Sequence, residues 1–216
     1  STTGKPDSTG SVGTAVEGAI KEVSELLDKL VKAVKTAEGA SSGTAAIGEV
    51  VADADAAKVA DKASVKGIAK GIKEIVEAAG GSEKLKAVAA ATGENNKGAG
   101  KLFGKAGAGA NAGDSEAASK AAGAVSAVSG EQILSAIVKA ADAAEQDGEK
   151  PEDAKNPIAA AIGKGNEDDG ADFGDGMKKD DQIAAAIALR GMAKDGKFAV
   201  KDGGEKEKAE GAIKGA

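Results

Sequence analysis

The chain has 216 residues, 35 acidic against 29 basic side chains for a formal net charge of -6, 32 glycines, and no Cys, His, Trp or Tyr. Without Cys or His the usual metal sites are excluded and the redox compartment is unreadable. The acidic balance with interspersed signs and the near absence of aromatic rings argue against nucleic acid as a partner, and no stretch approaches the roughly 18 apolar residues of a membrane span. Leu, Ile, Val and Phe together fall a little below the roughly one-fifth share at which disorder becomes a serious reading. Alanine, the best helix former, fills the gap, so helices around a thin core are expected instead. No basic-then-apolar signal peptide opens the chain, and Ser1 is not an initiator methionine, which reads as a mature or excised piece.

Ser1 to Gly13 is rich in Ser, Thr and Gly and reads as a flexible leader, residues 1–13. Thr14 and Glu17 then form a capping box ahead of Val16, Ile20, Val23, Leu27, Leu30 and Val34. Those steps of four and three predict a helix from Thr14 to Thr36 with a heptad seam, which calls for a long partner helix. A short helix is predicted over Thr44 to Ala52, followed by a long one from Asp55 to Ala79 with Val65, Ile68, Ile72, Ile75 and Ala79 as its buried stripe. Ala63, Gly67 and Gly71 form a second, small-residue ridge; the lysines around it exclude a membrane dimer and favour close contact in a water-soluble bundle.

Ser82 can cap a short helix reaching Thr92. Gly93 to Gly113 reads as a mobile surface loop anchored by Leu102 and Phe103. It is no phosphate loop, since Gly100-Lys101 and Gly104-Lys105 are followed by Leu102 and Ala106 where Ser or Thr is required. Asp114 or Ser115 opens a weaker helix carrying Ala121, Val125 and Val128. Ser129 and Gln132 make a second capping box before Ile133, Leu134, Ile137, Val138 and Ala141, a helix stopped by Gly148. Asn156 followed by Pro157 marks another start, since proline is tolerated at the first helical position.

Asn166 to Gly176 holds Glu167, Asp168, Asp169, Asp172 and Asp175. No frame of it supplies the alternating ligands, central glycine and terminal glutamate of a calcium hand, and solvated aspartates lack the burial that tunes an acid or base. No catalytic residue, metal or cofactor is therefore assigned, and an enzyme is not expected.

Met177 to Val200 is the stretch where large apolar residues sit without a polar face, which places a helix inside the fold. Asp180 or Asp181 can cap it, Arg190 and Lys194 suit its negative end, Gly196 can serve as a left-handed C-cap, and Phe198 can fold back on the last turn. It should run for about 15 residues, with most of Ile183 to Met192 inaccessible. Ile183, Ile187 and Leu189 should each contribute on the order of 1.5 to 3 kcal/mol by leaving water. A last helix begins at Glu205 and runs to Ala216 without a cap, as in a helix that continues in a longer parent. Within it Glu210, Gly211, Ala212, Ile213 and Lys214 repeat Glu17, Gly18, Ala19, Ile20 and Lys21. The expected class is all-α, with no sheet.

The run MKKDDQIAAAIALRGMAKDGKFAV, the EGAIK copies near both ends and GEQILSAIVKAADAAEQDG (Gly130 to Gly148) resemble the variable major protein-like surface lipoproteins of Lyme-disease spirochaetes. The resemblance implies an elongated helical bundle with irregular Gly/Ala-rich surface loops, here a single variable-cassette domain over 14–216 truncated at its C-terminus and less stable than a longer form. It implies an outer-surface antigen that evades host antibodies by gene conversion, its cassette ends marked by direct repeats such as EGAIK. Met177, Lys178, Lys179, Asp180, Asp181 and Gln182 match the start of that family's last invariant antigenic region. The rest of it falls on Ile183, Ile187, Leu189, Arg190, Met192, Lys194, Asp195, Lys197 and Phe198. Localisation at the bacterial outer membrane surface is implied only through a lipid anchor on the parent, since the family's lipidated cysteine is absent here. A different class remains open beside it: an adhesin for a host surface or matrix component, using lysines of Lys97 to Lys105.

Overall fold

The computed structural model describes residues 7–40, 48–52, 59–107, 111–143 and 147–214, with side chains from residue 12 onward. Helix α1 spans Asp7–Ala40, so residues 7–13 of the expected leader are helical and the Thr14/Glu17 pair lies inside the helix. Once nucleated, a helix gains one hydrogen bond per added residue, and Ser, Thr and Gly cost it no more than about 1 kcal/mol each.

The heptad seam does not supply the packed face. Val16, Ile20, Val23, Leu27 and Val34 are 51 to 64% exposed, whereas Ala33 is 2% exposed. Helix α2, Lys62–Ala78, packs along the other side of α1 through its small-residue ridge. A Cβ on Gly71 would sit 2.7 Å from the Ala37 Cβ, and one on Gly67 2.5 Å from the Ala40 Cβ. Close backbone approach has therefore won over the larger seam. α2 starts at the Asp61 cap, whose Oδ1 accepts from Ser64 N at 2.7 Å, later than the expected Asp55; residues 53–58 lie outside the described residues. Val65 and Ile68 are buried, Ile72 and Ile75 half-buried, and Ala79 exposed beyond the helix end.

The expected absence of a sheet is corrected by two short strands. β1, Glu49–Val51, occupies part of the predicted Thr44 to Ala52 helix, whose residues 44–47 lie outside the described residues. It pairs in parallel with β2, Lys197–Ala199, in the register Val50 opposite Phe198, and Val200 adds a bridge to Gly113. Val50, Phe198 and Val200 are fully enclosed, so tertiary burial, not alternation in sequence, makes these strands.

The remaining helices are α3 (Ser82–Lys86), α4 (Ser115–Ser126), α5 (Gly130–Ala141), α6 (Pro157–Ile162), α7 (Asp180–Met192) and α8 (Gly203–Lys214). α3 stops well short of Thr92, and α5 ends at Ala141, before Gly148. Caps read from local sequence are in place: Asp114 accepts from Ala117 N, Ser129 and Gln132 complete a reciprocal box, and Asn156 caps a helix with Pro157 at its start. Lys97–Phe103 is a 3-10 helix with Leu102 and Phe103 fully buried, so this part of the expected surface loop is a core element.

α7 lies between two apolar clusters. Ile183, Ala186 and Ile187 join Phe103, Phe173, Phe198 and Ile213; Ala185, Leu189 and Ala193 join Val65, Ile68, Ile137, Ile158 and Ile162. A helix with a core on each side is apolar on all faces for that reason. The α1–α2 contact, by contrast, depends on the absence of side chains. Gly71→Val should lower stability by about 1–3 kcal/mol, read as a shifted urea midpoint, with α1 amides losing exchange protection before those of α7. An unchanged midpoint would show that the two helices do not depend on this approach.

Candidate functional site

The region that sequence reading singled out, Met177 to Phe198, is mostly interior. Met177, Ile183, Ile187, Leu189, Arg190 and Phe198 are 0 to 1% exposed; Gln182 and Met192 are half-buried. Lys194 and Asp195 are exposed, and Lys197 is half-buried beside Glu49 at 3.6 Å.

The expected aspartate cap is absent at the start of α7. Lys179 occupies the N-cap position without a side-chain cap, and Asp180 and Asp181 are the first two helical residues. Both carboxylates are buried and bind the segment before the 3-10 helix. Asp180 Oδ1 accepts from Asn96 Nδ2 at 2.8 Å, and Asp181 Oδ2 accepts from Ala91 N at 3.1 Å. Negative charge at this end is also favoured by the helix dipole. Lys178 and Lys179 both pair with Glu94, whose carboxyl is held below its usual range chiefly by the Lys179 hydrogen bond.

At the other end Arg190 is fully enclosed. Its Nε donates to Lys197 O at 2.7 Å and its Nη1 to Ala161 O at 3.1 Å, the latter at the negative end of α6. The guanidinium carbon lies 5.4 Å from the centre of the Phe103 ring, which meets Phe198 edge-on at 5.5 Å. Burial pulls its pKa down to about 10, opposed by the charge of Asp168, so the group remains cationic at neutral pH. The left-handed residue after the helix is Asp195, at φ 60, not Gly196. Glycine is required at 196 for another reason: a Cβ there would lie 1.8 Å from Arg190 O.

The acidic loop divides. Glu167, Asp169, Asp172 and Asp175 are exposed as expected, but Asp168 is 1% exposed. Its Oδ1 accepts from Gly170 N at 2.8 Å, its Oδ2 has no hydrogen-bond partner, and burial pushes its pKa up. Spacing could not reveal the burial of this group, whose bonded partner Gly170 is local, nor Glu94, Asn96 and Phe103, whose partners lie far away in sequence. Two of the three lysines in the Lys97 to Lys105 stretch considered for adhesion are engaged: Lys97 pairs with Asp175 at 3.2 Å, and Lys105 with Asp169.

The two EGAIK copies are helical but differ in setting. Glu17, Gly18, Ala19, Ile20 and Lys21 are all exposed, whereas Ala212 and Ile213 are buried between half-exposed Glu210 and exposed Gly211 and Lys214. Ile213 packs so closely on Gly48 that a Cβ there would sit 2.8 Å from its Cγ2. Among the described residues no group of His, Asp or Glu is placed to hold a metal.

Residues 2–216 match the family described as Borrelia lipoprotein. The chain is 41% identical over 192 residues to variable large protein 17 of Borrelia hermsii, covering 87% of this chain and 52% of that protein. It is 38% identical over 201 residues to variable large protein 4 of the same organism, covering 91% and 55%. It therefore spans about half the length of these curated relatives. The fold is similar to the crystal structure of the Lyme disease variable surface antigen VlsE of Borrelia burgdorferi, at 92% identity and a TM-score of 0.88, covering 94% of this chain and 68% of that one.

Two outcomes follow from the buried charges. Arg190→Met should cost about 3–5 kcal/mol in denaturant titration, since it orphans backbone carbonyls and removes the charge facing Asp168; a loss below about 1 kcal/mol would class it with ordinary surface changes. For Asp168 the folded pKa is raised, so its contribution is complete below the unfolded carboxylate pKa and is lost as pH rises through the folded value. Wild type should accordingly lose stability relative to Asp168→Asn over that rise, and a flat difference between their urea midpoints would contradict the burial of this carboxyl.

Proposed function

The chain belongs to the Borrelia lipoprotein family, and from that premise we propose that it is the display domain of an outer-surface antigen that changes its face by cassette recombination. Its partners are host antibodies, and its attachment to the outer membrane is through a lipid anchor on the longer parent. The observation that carries this reading is the burial of the Met177 to Phe198 segment beneath a surface built from other parts of the chain.

The physical logic is a division of tolerance. Exchanges at exposed positions away from special contacts usually change stability by no more than about 0.5 kcal/mol, so a surface can be rewritten while the fold persists. Positions such as Ile183, Ile187, Leu189 and Arg190 contact several elements at once, and truncating a buried Ile or Leu costs about 2–5 kcal/mol. An antigen that must vary and still fold is thereby driven to keep its central helix constant and hidden. The EGAIK copies fit the role of cassette ends, since one of them needs nothing from the fold. The adhesin reading has no support of this kind, because Lys97 and Lys105 already face carboxylates.

Sequencing sister clones from one lineage tests the proposal. Changes should scatter over exposed positions, while Ile183, Ile187, Leu189 and Arg190 stay fixed. A lineage that preserves one exposed patch and alters the central helix would overturn it.

A further inference from the structure

We propose that residues 88–96 form a strap that masks Lys178 to Asp181, latched by Glu94 across Lys178 and Lys179, and that releasing it exposes this segment to antibody while the core stays folded. The antibody part rests on the function proposed above; the strap itself does not.

The stretch from Val88 to Asn96 has no helix or strand of its own, yet it crosses the start of α7 with polar attachments along its length. Ala91 N donates to Asp181 Oδ2, Gly93 O accepts from Asp180 N at 3.1 Å, Glu94 pairs with both lysines, and Asn96 Nδ2 donates to Asp180 Oδ1. Its far side is tied to α5, where Gln132 Nε2 donates to Ala89 O at 3.2 Å. Both flanks are anchored independently: Leu85 is buried with its carbonyl bonded by Ser135 Oγ, and Leu102 and Phe103 are in the core. An opened strap would therefore remain tethered at each end.

What distinguishes the strap from the helix beneath it is the kind of contact. Ala91 is its one buried apolar side chain, so its attachment is mainly electrostatic. Segments held by few apolar contacts open at a fraction of the global free energy. α7 from Ile183 to Leu189 is held by two hydrophobic clusters and should not follow. Lys178 and Lys179 are each 35% exposed and share the single Glu94 carboxylate, so removal of that one charge releases both. Gly93 supplies a second, uncharged lever. A Cβ there would lie 2.2 Å from Asp180 Oδ2, so a side chain at 93 must displace either the strap or the Asp180 carboxylate that Asn96 holds, and both loosen the attachment.

Limited trypsin digestion of the whole chain reads the opening directly, because trypsin cuts after Lys178 and Lys179. Glu94→Gln should raise the cleavage rate there on the order of fivefold, as for loss of a partly exposed ion pair, and Gly93→Val by at least as much. Glu83→Gln, which breaks an exposed pair with Lys86 elsewhere, is the control and should leave it unchanged. Amide exchange from Ile183 to Leu189 and the urea midpoint should stay at wild-type values in Glu94→Gln. Binding of an antibody raised against a synthetic peptide of residues 176–182 should increase together with cleavage. Unchanged cleavage in both variants would overturn the strap, as would cleavage that rises only in step with exchange from Ile183 to Leu189. Faster cleavage without a gain in antibody binding would overturn the masking role. None of these results depends on where sister clones vary, so failure here and failure of the proposed function are separable.

Discussion

A cationic side chain enclosed on every side sets the terms for the rest of the molecule. Arg190 has lost its water, and burial of an ion costs several kcal/mol unless bonds replace the solvent. The replacements come from separate parts of the chain: Ala161 O at the end of α6, Lys197 O at the start of β2, the face of Phe103 and the charge of Asp168. None is in place unless all these segments have converged. Glycines clear the space, since a Cβ on Gly163 would approach Arg190 Nη1 to 2.8 Å and one on Gly196 would strike Arg190 O. The guanidinium thus ties these segments to one arrangement, because an apolar residue in its place would leave Ala161 O, Lys197 O and Asp168 buried without their counterpart.

Around that point α7 serves as a shared wall for two thin cores. Alanine dominates both, with Ala184, Ala185 and Ala186 fully buried, and the larger volume comes from a few Ile, Leu and Phe residues. Small side chains let backbones approach closely, which compensates for the modest content of large apolar residues. It also makes the packing intolerant: many glycines would meet neighbouring backbone atoms if a Cβ were added, as at Gly100 against Ala171 O and Gly174 against Glu152 O. Tolerance to change is left to exposed positions.

Local signals were legible wherever the stabilising partner lies within about four residues. Asp114, the Ser129/Gln132 box and Asn156-Pro157 satisfy backbone groups at the start of their own helices, so short sequence patterns determine them. The same rule failed at α1 and α7. Thr14 and Glu17 have the spacing of a box but sit inside a continuing helix, and Asp180 and Asp181 have the chemistry of caps but bind residues some ninety positions earlier.

The sequence by itself determined that the chain is helical, where most helices begin, and that the run through Ile183 and Leu189 is interior, because backbone satisfaction and apolar periodicity act over a few residues. Only the tertiary structure decided which faces those helices use. The same five residues, EGAIK, are all exposed on α1 and partly buried in α8, and α1 packs through Ala33, Ala37 and Ala40 in preference to its heptad seam. Two three-residue strands, the buried carboxyl of Asp168 and the strap over α7 were likewise invisible in advance. Each exists through contacts between residues remote in the chain, and burial of this kind is a property of the assembled neighbours, which no local pattern of side chains encodes.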